Sequence, residues 1–255
     1  MARDGTLRFP VGPNVLAERM TDAGEMQVHL GGSKPGTMTR TLDGGWLPIP
    51  VITTAKNDLI LRERSFVAPC DEPGSDPTRL NRRSVCVTES TVTNTLGQPA
   101  DVSLSLNFLL NAGKKQSAVL SSSPRGWAVL AGSGEIGLVT TDPASSLTAS
   151  TSNGTFSLTG KLSPHQAASL TLLLPVQPMD LGSLPTVAKL RADTEAYWNA
   201  IMASAIQIET PDPLLNKPMR AVMVNGVPHK DFEPQKETIR ILPNGAAPIV
   251  VRASY

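Results

Sequence analysis

Hydrophobic and polar residues alternate through most of the first 175 positions of this chain, the period-two pattern of strands that bury one face. In Gly24 to Leu30, Met26, Val28 and Leu30 alternate with polar neighbours. The most regular run is Asp101 to Leu110, where Val102, Leu104, Leu106 and Phe108 share a face. The turn Gly97-Gln98-Pro99 before it predicts an antiparallel hairpin with a strand over Ser84 to Asn94. Val85 and Val87 share a face of that strand, whereas Val92 has the opposite parity, which predicts a bulge between them. Leu59 to Val67 sets Arg62 and Arg64 on one face and Leu61 and Glu63 on the other. Shorter strand-like pieces follow at Gly126 to Leu130, Ile136 to Thr140, Thr155 to Gly160 after the turn Asn153-Gly154, and Ser169 to Pro175. After the turn Asp43-Gly44-Gly45, Trp46 to Thr54 is extended, but Pro48 and Pro50 keep it off a central strand. The polar stretch 69–83 and the serine-rich patches Ser121 to Ser123 and Ser145 to Ser152 read as loops. Such regular strand spacing predicts a mainly β fold, a two-sheet antiparallel β-sandwich.

At Leu184 the period changes. Val187, Leu190, Thr194, Tyr197, Ile201 and Ala205 recur at steps of three and four, with Lys189, Arg191, Asp193 and Glu195 between them. This is an amphipathic helix of about twenty residues, with Trp198 and Met202 widening its apolar stripe and Pro185 in its first turn. Pro211-Asp212-Pro213 then breaks the chain, because Pro213 holds Asp212 out of the helical region. Asn216 is placed to cap a second helix that starts near Lys217-Pro218 and ends at Asn225-Gly226. The expected organisation is a sandwich over 1–180, a linker helix over 181–210, and an incomplete helical, barrel-like segment over 211–255.

Composition narrows the partners. With 23 Lys and Arg against 22 Asp and Glu, the net charge of +1 supplies no global field for nucleic acid or an anionic membrane. Cys70 and Cys86 are too few for a disulfide scaffold or a Cys-only zinc site, and they leave open one hairpin-spanning disulfide or two thiols. The first residues lack the apolar run of a signal peptide, and the longest apolar stretch, around Leu172 to Leu174, is broken by Pro175. A soluble protein is expected, with the cytoplasm favoured and export compatible with a start upstream of Met1.

The join between sandwich and helix carries a resemblance. Tyr197 and Trp198 on the linker helix, followed by Ile208, Pro211, Asp212, Pro213, Leu215 and Asn216 in the order I-x-x-P-D-P-x-L-N, resemble the six-hairpin glycosidase superfamily. The segment from Gly45 through Trp46, Leu47, Pro48 and Ile49 is similar to a strand entry common in the sandwiches of that superfamily. The resemblance implies a super-β-sandwich ahead of an (α/α)₆ barrel, in a bacterial glycoside hydrolase or glycan phosphorylase. It implies carbohydrate as ligand, a downstream helical domain as partner, and a homodimer as one assembly. Catalytic carboxylates in that superfamily stand on barrel loops beyond this sequence, so none is carried over, and the piece alone is expected to be non-catalytic.

The residues offer little competing chemistry. Asp231 and Glu233 are the best-spaced carboxylate pair for acid and base work, but they read as a solvated loop. His29, His165 and His229 have no metal-ligand spacing, and Gly132-Ser133-Gly134 lacks the helix a phosphate loop requires, so no metal or cofactor is expected. Trp46 beside Asp43 and Arg40, and Tyr255 beside Arg252, are the candidate sugar-stacking residues. Trp127 reads as packing. A stand-alone β-sandwich module that binds a glycan or a protein is the competing reading.

Overall fold

The computed structural model describes residues 6–9, 24–32, 36–71, 82–111, 116–131, 134–143, 145–176 and 179–204, with isolated positions at 216, 220–221, 240–241 and 249–250. Its strands are β1 (Leu7–Phe9), β2 (Gly24–Leu30), β3 (Thr37–Leu42), β4 (Pro50–Lys56), β5 (Leu59–Pro69), β6 (Ser84–Asn94) and β7 (Ala100–Asn111). They continue as β8 (Gln116–Ser117), β9 (Val119–Ser123), β10 (Gly126–Ala131), β11 (Gly134–Thr141), β12 (Thr148–Ser152), β13 (Thr155–Leu162) and β14 (Ala167–Pro175), before helix α1 (Val187–Ser204). A six-stranded antiparallel sheet runs β1-β2-β7-β13-β12, with β8 also on β7. An eight-stranded antiparallel sheet runs β3-β4-β5-β6-β14-β11-β10-β9. Met26, Leu104, Leu106 and Phe156 of the first sheet share one core with Leu61, Val92, Leu170 and Leu172 of the second. The mainly β, sandwich-like architecture is therefore as the alternation predicts.

Two expectations about β6 fail. The ladders joining β6 to β5 and to β14 run without a register shift, so the expected bulge is absent. Val92 packs into the core between the sheets, while Val85 and Val87 pack into a second core on the outer face of the eight-stranded sheet. Opposite parity reflects burial on both faces. The expected hairpin of β6 with β7 is also absent, because the turn at Gly97 carries the chain from the eight-stranded sheet into the six-stranded one. A hairpin and a corner between sheets present the same alternating pattern, and packing decides between them.

Asn94 holds that corner. Its side chain is fully buried, and Nδ2 donates to the carbonyls of Gln98 (2.8 Å), Leu162 (3.1 Å) and Ser163 (3.1 Å). Its Oδ1 accepts from the backbone of Leu96 at 3.0 Å. Leu162 and Ser163 begin the β13–β14 connection, which also crosses between the sheets, so one amide ties two crossings together.

The serine-rich patches are strands rather than loops. Ser121–Ser123 lies in β9 and most of the second patch in β12, each the last strand of its sheet. An edge strand exposed on both faces needs no apolar alternation, because backbone hydrogen bonds alone place it. Asn153 and Gly154, both at positive φ, make the two-residue turn between β12 and β13, as the Asn-Gly pair predicts. Pro50 stands at the first residue of β4, a position a strand tolerates, and the free edge belongs to β3 outside it.

Helix α1 begins at Val187, the first residue of its apolar pattern and three residues after the period changes at Leu184. Thr186 caps it, its Oγ1 accepting from Lys189 N at 3.3 Å and its carbonyl from Leu190 N at 2.9 Å. Pro185 therefore precedes the cap instead of lying in the first turn. Asn216, Arg220 and Ala221 are helical, and the remainder of 205–239 lies outside the described residues. No helix among the described residues is long and apolar enough to cross a membrane.

The two cysteines are free thiols. Val67 pairs with Cys86, and Cys70 donates its backbone N–H to Arg83, so Cys70 falls on the outer face of the β5–β6 ribbon and Cys86 on the inner. The Cys86 thiol is pushed up to about 11 by burial, and that of Cys70 is raised first by burial and then by Asp71.

Replacing Asn94 with Ala removes the buried amide and strands the buried Leu162 carbonyl, and we expect a loss of about 2–3 kcal/mol in urea unfolding of the full chain. Asn94→Asp should cost more, since a carboxylate would face the Gln98, Leu162 and Ser163 carbonyls with no hydrogen to donate.

Candidate functional site

The outer face of the eight-stranded sheet brings together two of the described candidates, Trp46 and Trp198. Phe66, Ala68, Val85, Val87, Leu138 and Leu173 form its apolar floor, onto which α1 lowers Leu190 and Trp198. Leu190 and Thr194 are completely buried on this face, and the Thr194 hydroxyl returns a hydrogen bond to the Leu190 carbonyl at 2.8 Å. The Tyr197 ring stands edge-on to that of Trp198, with centroids 5.5 Å apart. The aromatic pair thus helps seat the helix.

The turn after β3 closes the other side. Gly44 and Gly45 lie at φ 60° and 83°, a conformation that favours glycine, and the Asp43 carbonyl accepts from both Trp46 N (3.3 Å) and Leu47 N (3.1 Å). This folding drives Leu47 and Ile49 into the floor and leaves Trp46 half-buried against it. The guanidinium of Arg220 lies over the Trp46 ring, 5.9 Å from its centroid. One face of the indole is thereby occupied by the chain itself.

A chain of charges joins the turn to the helix. Asp43 meets Arg64 Nε at 2.8 Å and Arg62 Nη2 at 3.9 Å. Arg64 Nη1 reaches Glu89 Oε2 at 3.5 Å, and the other Glu89 oxygen takes the guanidinium of Arg191 on α1. Three guanidinium groups share two carboxylates, and β5, β6, the Trp46 turn and α1 are clasped together. Arg64 and Arg191 take three of the four carboxylate oxygens, and the half-exposed Arg62 only approaches the fourth, so the cluster holds elements in place rather than shuttling protons.

Other sequence candidates do not join this cluster. Trp127 faces the core between the sheets, edge-on to Phe156 with centroids 4.8 Å apart. Its neighbour Arg125 is paired with Glu135 at 3.7 Å. His29 lies on β2 and His165 in the exposed β13–β14 connection, at φ 58°. Arg40 sits on the exposed edge strand β3. Among the described residues, no three His, Cys, Asp or Glu side chains converge closely enough to hold a metal ion. Pro211, Asp212, Pro213, Tyr255, Arg252, Asp231, Glu233, His229, Gly132 and Ser133 lie outside the described residues.

No protein-family model matches the chain, and no curated protein matches it.

Arg64, Glu89 and Arg191 did not stand out as a site in the sequence. They are separated by 25 and 102 positions, with no local spacing to mark them. The available signal was weaker: charged residues at strand positions where the alternation faltered. Glu89→Gln should cost about 1–2 kcal/mol in urea unfolding, and a Glu89→Gln/Arg191→Met double-mutant cycle should return a coupling of about 1 kcal/mol that shrinks in high salt.

Proposed function

We propose that this sandwich and its helix are the non-catalytic N-terminal support of a carbohydrate-active enzyme, of the glycoside hydrolase or glycan phosphorylase kind. In this reading a helical domain following Tyr255 supplies the active site, and the sandwich helps to wall it. The observation that carries the reading is the seating of α1. The helix is locked on the outer sheet face by Leu190, Thr194 and the Arg191–Glu89–Arg64–Asp43 chain, directly ahead of the P-D-P-x-L-N segment. A helix fixed at that point gives whatever follows a defined origin and direction. The bonding of both cluster acids to arginines agrees with support rather than acid–base chemistry.

A second reading, a glycan-binding module acting alone, draws on one observation. Trp46 is half-exposed beside Asp43, which itself meets Arg62, the mixture of aromatic and polar groups that pyranose rings stack upon.

The test is to express the chain with and without the sequence that follows Tyr255 in its gene, and to measure sugar release from an oligosaccharide panel with water or phosphate as acceptor. Activity in the extended chain alone is the expected result. A stop codon directly after Tyr255, or turnover by residues 1–255 alone, would defeat the support reading. Micromolar oligosaccharide binding by residues 1–255 in calorimetry, lost in Trp46→Ala, would favour the stand-alone module.

A further inference from the structure

The inner face of β5 and β6 carries a polar strip inside an otherwise apolar core. At one level across the sheet, Arg40 (β3), Ile52 (β4), Glu63 (β5), Ser90 (β6) and Leu170 (β14) are successive cross-strand partners and share that face. Glu63 is 3% exposed and Ser90 is fully buried. Among the described residues, neither Glu63 Oε1 nor Ser90 Oγ has a hydrogen-bond partner. One level along, Ser65 and Thr88 are equally buried but satisfy each other at 2.9 Å. The unsatisfied pair is therefore Glu63 and Ser90, and cross-strand geometry puts their Cβ atoms about 5 Å apart, within a glutamate's reach.

Among the described residues, the charged side chains on and beside these strands do not meet Glu63. Arg62 and Arg64 point to the opposite face, toward Asp43 and Glu89. Lys56 shares the inner face but donates to the Leu30 carbonyl at 3.0 Å, and Arg40 is exposed two strands away. Ile52 and Leu170, flanking the pair, carry no charge. Burial alone raises the Glu63 carboxyl to about 7.

We propose that Glu63 is a proton-operated device in the sandwich: as a neutral carboxylic acid it donates to Ser90 Oγ across the β5–β6 pair, and its ionisation loosens these strands. On ionisation the proton passes to solvent water, and an uncompensated charge is left between Ile52 and Leu170. Its effect reaches the other face directly. Arg64 follows Glu63 and Glu89 precedes Ser90, so the residues that clasp α1 are the chain neighbours of Glu63 and Ser90. The device is independent of any carbohydrate role.

The sign is definite. A carboxyl whose pKa is raised in the folded chain stabilises it fully below its ordinary pKa, and that contribution is lost as pH rises through the folded value. The experiment is denaturant unfolding of the full chain from pH 4 to pH 8, wild type against Glu63→Gln, together with NMR titration of ¹³C-labelled glutamate carboxyls. The folding equilibrium constant of Glu63→Gln relative to wild type should rise by roughly two orders of magnitude across that range. One wild-type glutamate should titrate near pH 7, and amide-exchange protection in β4, β5, β6 and α1 should fall over the same interval. A ratio that does not change with pH would overturn the proposal. If Glu63→Gln does not fold, the NMR titration of the unmodified chain decides: a midpoint near neutrality supports the device, and ordinary midpoints for every glutamate overturn it.

Discussion

Strands β5 and β6 bury both faces over most of their length, with Ile60, Arg62 and Val67 of β5 left exposed. Their inner side packs through Leu61 and Val92 against the six-stranded sheet, and their outer side packs through Phe66, Ala68, Val85 and Val87 beneath α1. This double burial governs where polar side chains can go. On the outer face, Arg64 and Glu89 are tolerated because Asp43 and Arg191 come to meet them. Ser65 and Thr88 on the inner face pair with each other, and among the described residues Glu63 Oε1 and Ser90 Oγ are left without a partner. The ion-pair clasp and the buried acid are thus two consequences of one packing arrangement, on opposite sides of the same ribbon.

The same arrangement explains why the corners need a dedicated device. The turns that carry the chain between the sheets are largely exposed, but the strand ends they leave, at Asn94 and Leu162, are buried, and there backbone carbonyls run out of ladder partners. Asn94 supplies those partners at the exit of β6 and at the neighbouring exit of β13. Its four contacts substitute for the ladder at the point where the ladder stops.

Seating α1 on this face also defines what the surface can offer a ligand. Most of the apolar floor is taken up by the helix and by the Trp46 turn, and the ring of Trp46 is partly covered by Arg220. A surface whose acids are bound to its own arginines suits an element that positions another. That is the physical content of the support reading, and it rests on how the side chains are spent rather than on the resemblance alone.

Period and turn chemistry were enough, from the sequence, to locate β2, β5, β7, β13 and β14, the Asn153-Gly154 turn and the helix around Leu190 and Thr194. These are local properties: one face buried, glycine or asparagine at positive φ, apolar residues three and four apart. Edge strands β3, β9 and β12 were not legible, because they bury too little to impose a pattern. Nor was the β6–β7 corner, the opposite burial of Val85 and Val92, the separation of Cys70 from Cys86, or the charge chain from Asp43 to Arg191. Each depends on which sheet a strand joins and what covers its second face. Only tertiary packing decides that, because strands with the same alternation form a hairpin or a corner according to the surface waiting to bury them.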